Sequence, residues 1–122
     1  MNAMDVSMNV RQVDKSTRIF DIQGEVTGFA EDKLMQAYTQ ATLDGVSNII
    51  FNFSRMAYMN SSGIGLLITI LVRAKRQGQR LFAVGLNEHF QQIFELTRLR
   101  EAVPLYSTET EALSVLRNHT PG

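Results

Sequence analysis

The sequence has 122 residues, of which 44% are hydrophobic and 20% charged, and this is enough for one globular domain with its own core. Its 12 basic and 12 acidic residues give a formal net charge of zero, so no overall field attracts nucleic acid or an anionic membrane. Cysteine is absent, which excludes disulfides, cysteine-ligated metals and thiol chemistry.

The chain carries no visible targeting or membrane segment. The first 15 residues are polar and lack the apolar stretch of a secretory signal. The longest apolar run, residues 64–72, is about half of the roughly 20 residues that span a bilayer. We therefore expect a cytoplasmic protein without membrane insertion, with a single domain at residues 8–117 and flexible ends at residues 1–7 and 118–122.

The hydrophobic periodicity predicts strands and helices in alternation. Short apolar or alternating runs predict five strands, at residues 8–13, 18–24, 47–53, 80–85 and 104–106. Helical spacing predicts four helices, at residues 30–43, 62–77, 88–97 and 109–117. The first two strands form a hairpin and the later strands alternate with helices. We therefore predict an α/β fold, with a mixed, mostly parallel sheet of four to five strands and about four helices packed against it.

The second predicted helix carries more apolar surface than one face requires. We assign to the sheet the stripe formed by Ile64, Leu67, Ile68, Leu71 and Ala74. Leu66 and Ile70 then fall on a different face of the helix. Two interpretations of this second face stay open, namely a docking surface for a partner and burial under a neighbouring helix.

Catalytic constellations are missing from the sequence. Its two histidines, His89 and His119, have no companions at a spacing that suits a triad or a metal site. Phosphate-binding and dinucleotide-binding glycine motifs are also absent. The cationic run at residues 73–80 complements the dipole of a helix end, and no aromatic residue interrupts it to stack on bases. We predict a protein that is not an enzyme, has no cofactor or metal, and does not bind nucleic acid.

A polar, small-residue stretch separates the two most hydrophobic segments. The sequence MNSSGIGLL (residues 59–67) falls where the third strand ends and the second helix begins. Asn60 or Ser61 is expected to cap the unpaired amides of that helix end. Gly63 and Gly65 each cost up to about 1 kcal/mol relative to alanine in a helix. We therefore expect some other group to approach this backbone closely.

The same residues resemble the STAS family, the domain of anti-sigma factor antagonists. The resemblance covers about residues 8–117 and rests on IQGEVT (22–27), NIIFNFSRMAYM (48–59), NSSGIGLL (60–67), GQRLFAVG (78–85) and FELTRL (94–99). It implies that Ser61, or as second choice Ser62, is phosphorylated by an anti-sigma factor that is also an ATP-dependent serine kinase. It further implies that the unmodified protein binds this kinase and frees the sigma factor, and that a separate serine phosphatase removes the phosphate.

The resemblance also suggests a partner-binding surface and leaves alternatives. The expected surface consists of Thr27, Asn60, Ser61, Ser62, Gly63, Ile64, Gly65, Leu66 and Ile70. The family usually has aspartate at the position of Asn60, and often at those of Asn52 and Thr27. These neutral replacements favour a second interpretation, a non-switching STAS subunit that docks constitutively to a transporter ATPase or a sensory scaffold. A third is weak nucleotide or anion binding at the helix start, and the oligomeric state stays open between monomer and weak dimer.

Overall fold

Five strands form one sheet in the computed structural model, which describes residues 6–43 and 45–118. The strands are β1 (Ser7–Gln12), β2 (Thr17–Val26), β3 (Asn48–Met59), β4 (Arg80–Val84) and β5 (Leu105–Tyr106). They lie in the order of their numbers, with β1 antiparallel to β2 and every other neighbouring pair parallel. The mixed, mostly parallel sheet expected from the sequence is therefore confirmed.

Five α-helices connect and cover these strands. They are α1 (Glu31–Ala41), α2 (Ser61–Arg76), α3 (Glu88–Leu96), α4 (Leu99–Ala102) and α5 (Glu109–Asn118), and a 3-10 turn at Gly28–Ala30 precedes α1. The four predicted helices agree with α1, α2, α3 and α5 to within about two residues at each end. The short helix α4 was not predicted. It follows Arg98, whose left-handed backbone (φ 61°) separates it from α3.

Strand β3 is longer than its apolar run. The run of buried and partly buried residues ends at Phe53, whereas the strand continues to Met59. Beyond Asn52, β3 pairs with β2 and no longer with β4. This second half is exposed over most of its length and therefore carries little hydrophobic signal. The extension matters for function, because it carries the chain past the body of the sheet before α2 begins.

The core lies on both faces of the sheet. The larger cluster joins one face to the first four helices, and it includes Leu34 and Tyr38 of α1 and Phe94 of α3. The smaller cluster lies on the opposite face, where Ala112 and Leu116 of α5 pack against residues of β2, β3 and β4. Burial of these side chains is the main stabilising contribution to the fold.

The predicted core-facing stripe of α2 is confirmed except at Ile68, whereas the second predicted face is not a docking surface. Leu66 and Ile70 are only 6% and 0% exposed and belong to the larger core cluster, so they are not available as a docking surface. Ile68, which we assigned to the sheet, is 41% exposed, and Val72 is 44% exposed. Helix α2 contacts α1 as well as the sheet, so its buried face includes the side directed towards α1. Burial under neighbouring elements was the correct one of the two interpretations.

Ordered structure begins earlier than the predicted boundary at residue 8. Val6 is buried in the core, its carbonyl oxygen accepts a hydrogen bond of 3.1 Å from Lys33 Nζ, and β1 begins at Ser7. At the other end, α5 ends at Asn118, and His119 lies outside the described residues. None of the described helices has the length and apolar content needed to cross a membrane.

Candidate functional site

The amino end of α2 is closed by Asn60. The backbone of Asn60 is extended (φ −97°, ψ −177°), and its side-chain Oδ1 accepts a hydrogen bond of 2.9 Å from the amide of Gly63. The amide of Ile64 donates the first bond of the helix to the Asn60 carbonyl, at 3.0 Å. The sequence alone did not decide whether Asn60 or Ser61 caps the helix. The structure assigns it to Asn60 and leaves Ser61 free of that role.

Ser61 is the first residue of α2, and its side chain is exposed, as is that of Ser62. Neither hydroxyl makes a hydrogen bond to any other group within residues 6–43 and 45–118. The amides of both serines precede the first hydrogen bond of the helix, and the first turn contains no acidic residue. The site therefore presents a nucleophilic oxygen at the positive end of a helix dipole that no carboxylate of the first turn offsets.

The two glycines of the motif have different surroundings. A Cβ atom on Gly63 would lie 2.2 Å from the carbonyl oxygen of Val26, so the first turn of α2 packs directly on the end of β2. Gly63 thus serves a contact inside the protein and not the approach of another chain. A Cβ atom on Gly65 would meet nothing within 4 Å. Of the two, only Gly65 leaves the helix backbone open to a partner.

The turn after β2 forms the other side of the site. Thr27 Oγ1 accepts a bond of 3.3 Å from the amide of Phe29, which caps the 3-10 turn, and this gives Thr27 a local structural role. A Cβ atom on Gly28 would lie 3.5 Å from the Cβ of Ser62, so this turn lies against the start of α2. Phe29 itself is fully exposed, at 101%.

Sequence reasoning missed Phe29. The apolar stripe of the following helix passes through Leu34 and Tyr38, and position 29 lies off that stripe. An aromatic residue off the stripe, directly after a glycine, was the available signal. Aromatic residues are enriched in protein interfaces, where they often serve as anchors.

A row of exposed residues runs along α2 from Ser61. Gly65, Ile68 and Val72 follow at spacings of four, three and four residues, so they share one face of the helix. All four residues are exposed, and we name this row the Ser61 stripe. Ile64 lies partly buried beside it. The stripe replaces Leu66 and Ile70 as the accessible surface of α2.

Asn52 does not belong to this site. Its Nδ2 donates a bond of 2.6 Å to Glu109 Oε2, and its Oδ1 accepts a bond of 2.9 Å from the amide of Ser54. Met59 lies seven positions further along β3, a distance of roughly 20 Å along a strand. An aspartate here would have no hydrogen to donate to Glu109 and would add a second carboxylate. The neutral residue therefore suits a contact with α5 and carries no information about Ser61.

Among the residues that the structure describes, the other candidate chemical groups do not come together. His89 is exposed on α3 and contacts the ring of Phe90 edge-on, with 5.1 Å between ring centroids. In the part of the chain that the structure describes, no three histidine, aspartate or glutamate side chains come together as a metal site.

Comparison with known proteins identifies the family. The anti-sigma factor antagonist of Mycobacterium paratuberculosis superposes with a TM-score of 0.81 at 20% identity, covering 95% of this chain and 97% of that one. The phosphorylated form of the Bacillus cell fate determinant SpoIIAA superposes with a TM-score of 0.72 at 23% identity, covering 90% and 99%. At these identities the two structures establish a shared fold.

The sequence matches agree with the fold. The anti-sigma-B factor antagonist of Staphylococcus aureus (strain NCTC 8325 / PS 47) is 24% identical over 98 residues, which is 80% of this chain and 90% of that protein. The STAS domain family model matches residues 8–112, which is most of the chain and includes the cap, both serines and the Ser61 stripe. This protein therefore belongs to the STAS domain family.

Proposed function

We propose that this protein is an anti-sigma factor antagonist, which binds an anti-sigma factor through the surface around Ser61 and releases it when Ser61 is phosphorylated. The observation that carries the proposal is the position of Ser61, exposed at the first residue of α2 with a hydroxyl that makes no hydrogen bond to another described residue. The class of partner comes from the names of the relatives in Staphylococcus and Mycobacterium.

The fold is expected to tolerate the phosphate. A phosphoserine adds a charge of about −1.5 to −2. Free amides and the positive end of a helix dipole favour an anion at that position. The first turn of α2 contains no carboxylate that would repel it. Modification of Ser61 should therefore leave the domain folded.

A bound partner would not tolerate the same charge. In a closely packed interface the phosphate loses water or faces carboxylates of the partner. A loss of about 4 kcal/mol of binding free energy weakens the complex roughly a thousandfold. One modification can thus abolish the complex while the antagonist stays intact.

The proposed interface combines the Ser61 stripe with Phe29. Ile68 and Val72 offer apolar area on α2, and Phe29 offers a fully exposed ring on the adjacent turn. Large aromatic anchors carry a disproportionate share of interface energy. We expect Phe29→Ala to weaken binding by at least about tenfold. The midpoint of thermal unfolding of the Phe29→Ala variant should equal that of the wild type, because the exposed ring is not part of the core.

The anti-sigma factor is also the proposed kinase, which would use ATP to modify Ser61. A separate serine phosphatase would regenerate the binding form. In this scheme the STAS protein acts by binding and catalyses no reaction itself. Asn60 keeps the helix cap but removes the negative charge that the family usually places beside the acceptor serine, so the cognate kinase would have to accept a neutral neighbour.

The experiment is phosphorylation by the cognate anti-sigma factor with ATP, followed by peptide mass spectrometry. We expect one phosphate on Ser61, none on Ser61→Ala, and full labelling of the control Ser62→Ala. Full labelling of Ser61→Ala would refute the site assignment and would move it to Ser62 or elsewhere.

A binding measurement separates switching from constitutive docking. If the protein is a switch, Ser61→Asp should weaken the complex with the anti-sigma factor by a large factor, up to about a thousandfold for a full phosphate. If Ser61→Asp leaves the affinity for a transporter ATPase or scaffold unchanged and no anti-sigma factor binds, the protein is a constitutive subunit and the proposal fails.

A further inference from the structure

The edge of β4 is paired over only part of its length. Strand β5 has two residues, and its pairing with β4 is limited to Ala83 with Leu105 and Val84 with Tyr106. The amide of Ala83 donates a bond of 3.0 Å to the carbonyl of Pro104, which is the first contact along this edge. The amino-terminal half of β4 therefore has no strand beside it on this side.

The backbone of Leu81 faces this open edge. In a parallel ladder, successive residues direct their amide and carbonyl groups to opposite neighbours. The amide of Arg80 donates to Ser47 on the β3 side, at 2.8 Å, and that of Ala83 donates to the β5 side. The amide and carbonyl of Leu81 are consequently directed to the β5 side, like those of Ala83. Pro104 occupies the position that would donate to the Leu81 carbonyl, and proline has no amide hydrogen.

A groove of about 370 Å³ lies along this edge, and we name it the β4-edge groove. Its apolar walls include Leu71 of α2, Phe82 of β4 and Tyr106 of β5. The volume falls in the range of roughly 300–1,000 Å³ that is typical of ligand sites. An unpaired strand edge with apolar walls on both sides can accept an extended segment as an added strand.

The groove is also cationic. Lys75 and Arg80 line it, and neither forms an ion pair with a residue of the described chain. The guanidinium of Arg80 lies 5.2 Å from the centre of the Phe82 ring. Glu101 lines the groove too, so two cations and one carboxylate leave the lining with a net charge of +1. A negatively charged residue is the complement of this lining.

We propose that the β4-edge groove binds a linear acidic peptide in extended conformation. The peptide backbone pairs with the amide and carbonyl of Leu81, which have no partner on this side within the described residues. An apolar side chain packs on the walls, and a carboxylate contacts Lys75 and Arg80. Leu71 and Lys75 of the groove lie on α2, about 15 and 21 Å along the helix from Ser61.

The test uses the full chain and a short fluorescein-labelled peptide in which valine and aspartate alternate. We expect saturable binding by fluorescence anisotropy. Lys75→Glu and Arg80→Glu should each weaken it by at least about tenfold, because each reverses a charge next to the ligand. Lys15→Glu, a charge reversal in the exposed turn before β2, is the matched control and should not change the affinity.

Two further measurements make the proposal specific. The amide of Leu81 should show a shift in a two-dimensional NMR spectrum and slower hydrogen exchange on peptide binding, since strand addition bonds that group. Equal binding of a valine–lysine peptide, or a Leu81 amide that does not respond, would overturn the proposal. Concentration-dependent dimerisation that Arg80→Glu abolishes would also overturn it and would assign the groove to a second copy of the chain.

Discussion

The two glycines at the start of α2 lie two residues apart in the same helix, but one is packed against β2 and the other is open to solvent. Gly63→Ala would place a methyl group 2.2 Å from the Val26 carbonyl oxygen, and backbone atoms on both sides would have to move. We expect this change to lower the free energy of unfolding by at least about 2 kcal/mol. Gly65→Ala fills open space and should raise the free energy of unfolding by up to about 1 kcal/mol.

Urea denaturation followed by circular dichroism measures both effects. The pair is its own control, because the substitution is identical and the positions are two residues apart in one helix. Equal stabilities of the two variants would show that the contact between α2 and the end of β2 is not as tight as described.

The cap of α2 gives a second prediction at the level of single residues. Asn60→Ala removes the bond to the Gly63 amide and should reduce the free energy of unfolding by about 1 kcal/mol. Asn60→Asp keeps the acceptor and adds a charge at the positive end of the helix, so its stability should equal or exceed that of the wild type. Ser62→Ala removes a hydroxyl that makes no hydrogen bond within the described chain and serves as the control. A loss for Ser62→Ala as large as that for Asn60→Ala would contradict the assignment of the cap.

At the level of elements, helix α5 is tied to the sheet by a charged network at its first turn. Arg11 of β1 contacts both Asp21 of β2 and Glu109 of α5, and Asn52 of β3 donates to the same glutamate. The Arg11 guanidinium, supported by the Asn52 amide, lowers the pKa of Glu109 below its ordinary value. The ionised form of Glu109 is therefore favoured in the folded state.

This shift has a defined consequence for stability at acid pH. Because the pKa is lower in the folded state, Glu109 contributes stability above its unfolded-state pKa of about 4.3 and loses it as the pH falls towards the folded-state value. Glu109→Gln should cost about 0.5–1 kcal/mol at pH 7, and the difference from the wild type should shrink towards pH 3. Urea midpoints across this range measure the effect.

Glu111→Gln is the matched control for this titration. Glu111 lies in the same first turn of α5 and experiences the same helix dipole, but it forms no ion pair with a described residue. A pH dependence as large for Glu111→Gln as for Glu109→Gln would assign the effect to the dipole and not to Arg11.

At the scale of the whole molecule, periodicity predicted the elements whose apolar residues share one face. Helix α1 is an example, since Leu34 and Tyr38 define a single buried stripe. In α2 the apolar residues from Ile64 to Val72 point in nearly every direction, so periodicity could not select the buried face. The tight contact at Gly63 reveals that face, and this contact depends on β2, which is distant in sequence.

The candidate site was predictable to a similar degree. Two serines between a buried strand and an apolar helix located the exposed helix end, and the structure places Ser61 there. The exposed ring of Phe29 and the separation of Asn52 from the site were not predictable. Asn52 bonds to Glu109, which is 57 residues further along the chain, and no local pattern encodes such a contact.

The two faces of the sheet are covered unequally, and this gives a prediction for the entire fold. Four helices cover one face, whereas among the described residues α5 is the one helix that packs on Ile19, Ile50 and Phe82 on the other, where Tyr106 of β5 also contacts the Phe82 ring. Leu116→Ala on α5 should therefore lower the free energy of unfolding by about 2–4 kcal/mol, through lost burial and a cavity that no neighbouring helix can fill.

Leu96→Ala is the control for Leu116→Ala, because Leu96 ends α3 with 85% of its surface exposed. Its stability should stay within about 0.5 kcal/mol of the wild type. Urea denaturation compares the two variants, and binding of the dye ANS reports apolar surface on the sheet. If Leu116→Ala were as stable as Leu96→Ala, the second face would not depend on α5. The sheet would then need another cover, such as a second copy of the chain, which analytical ultracentrifugation would detect.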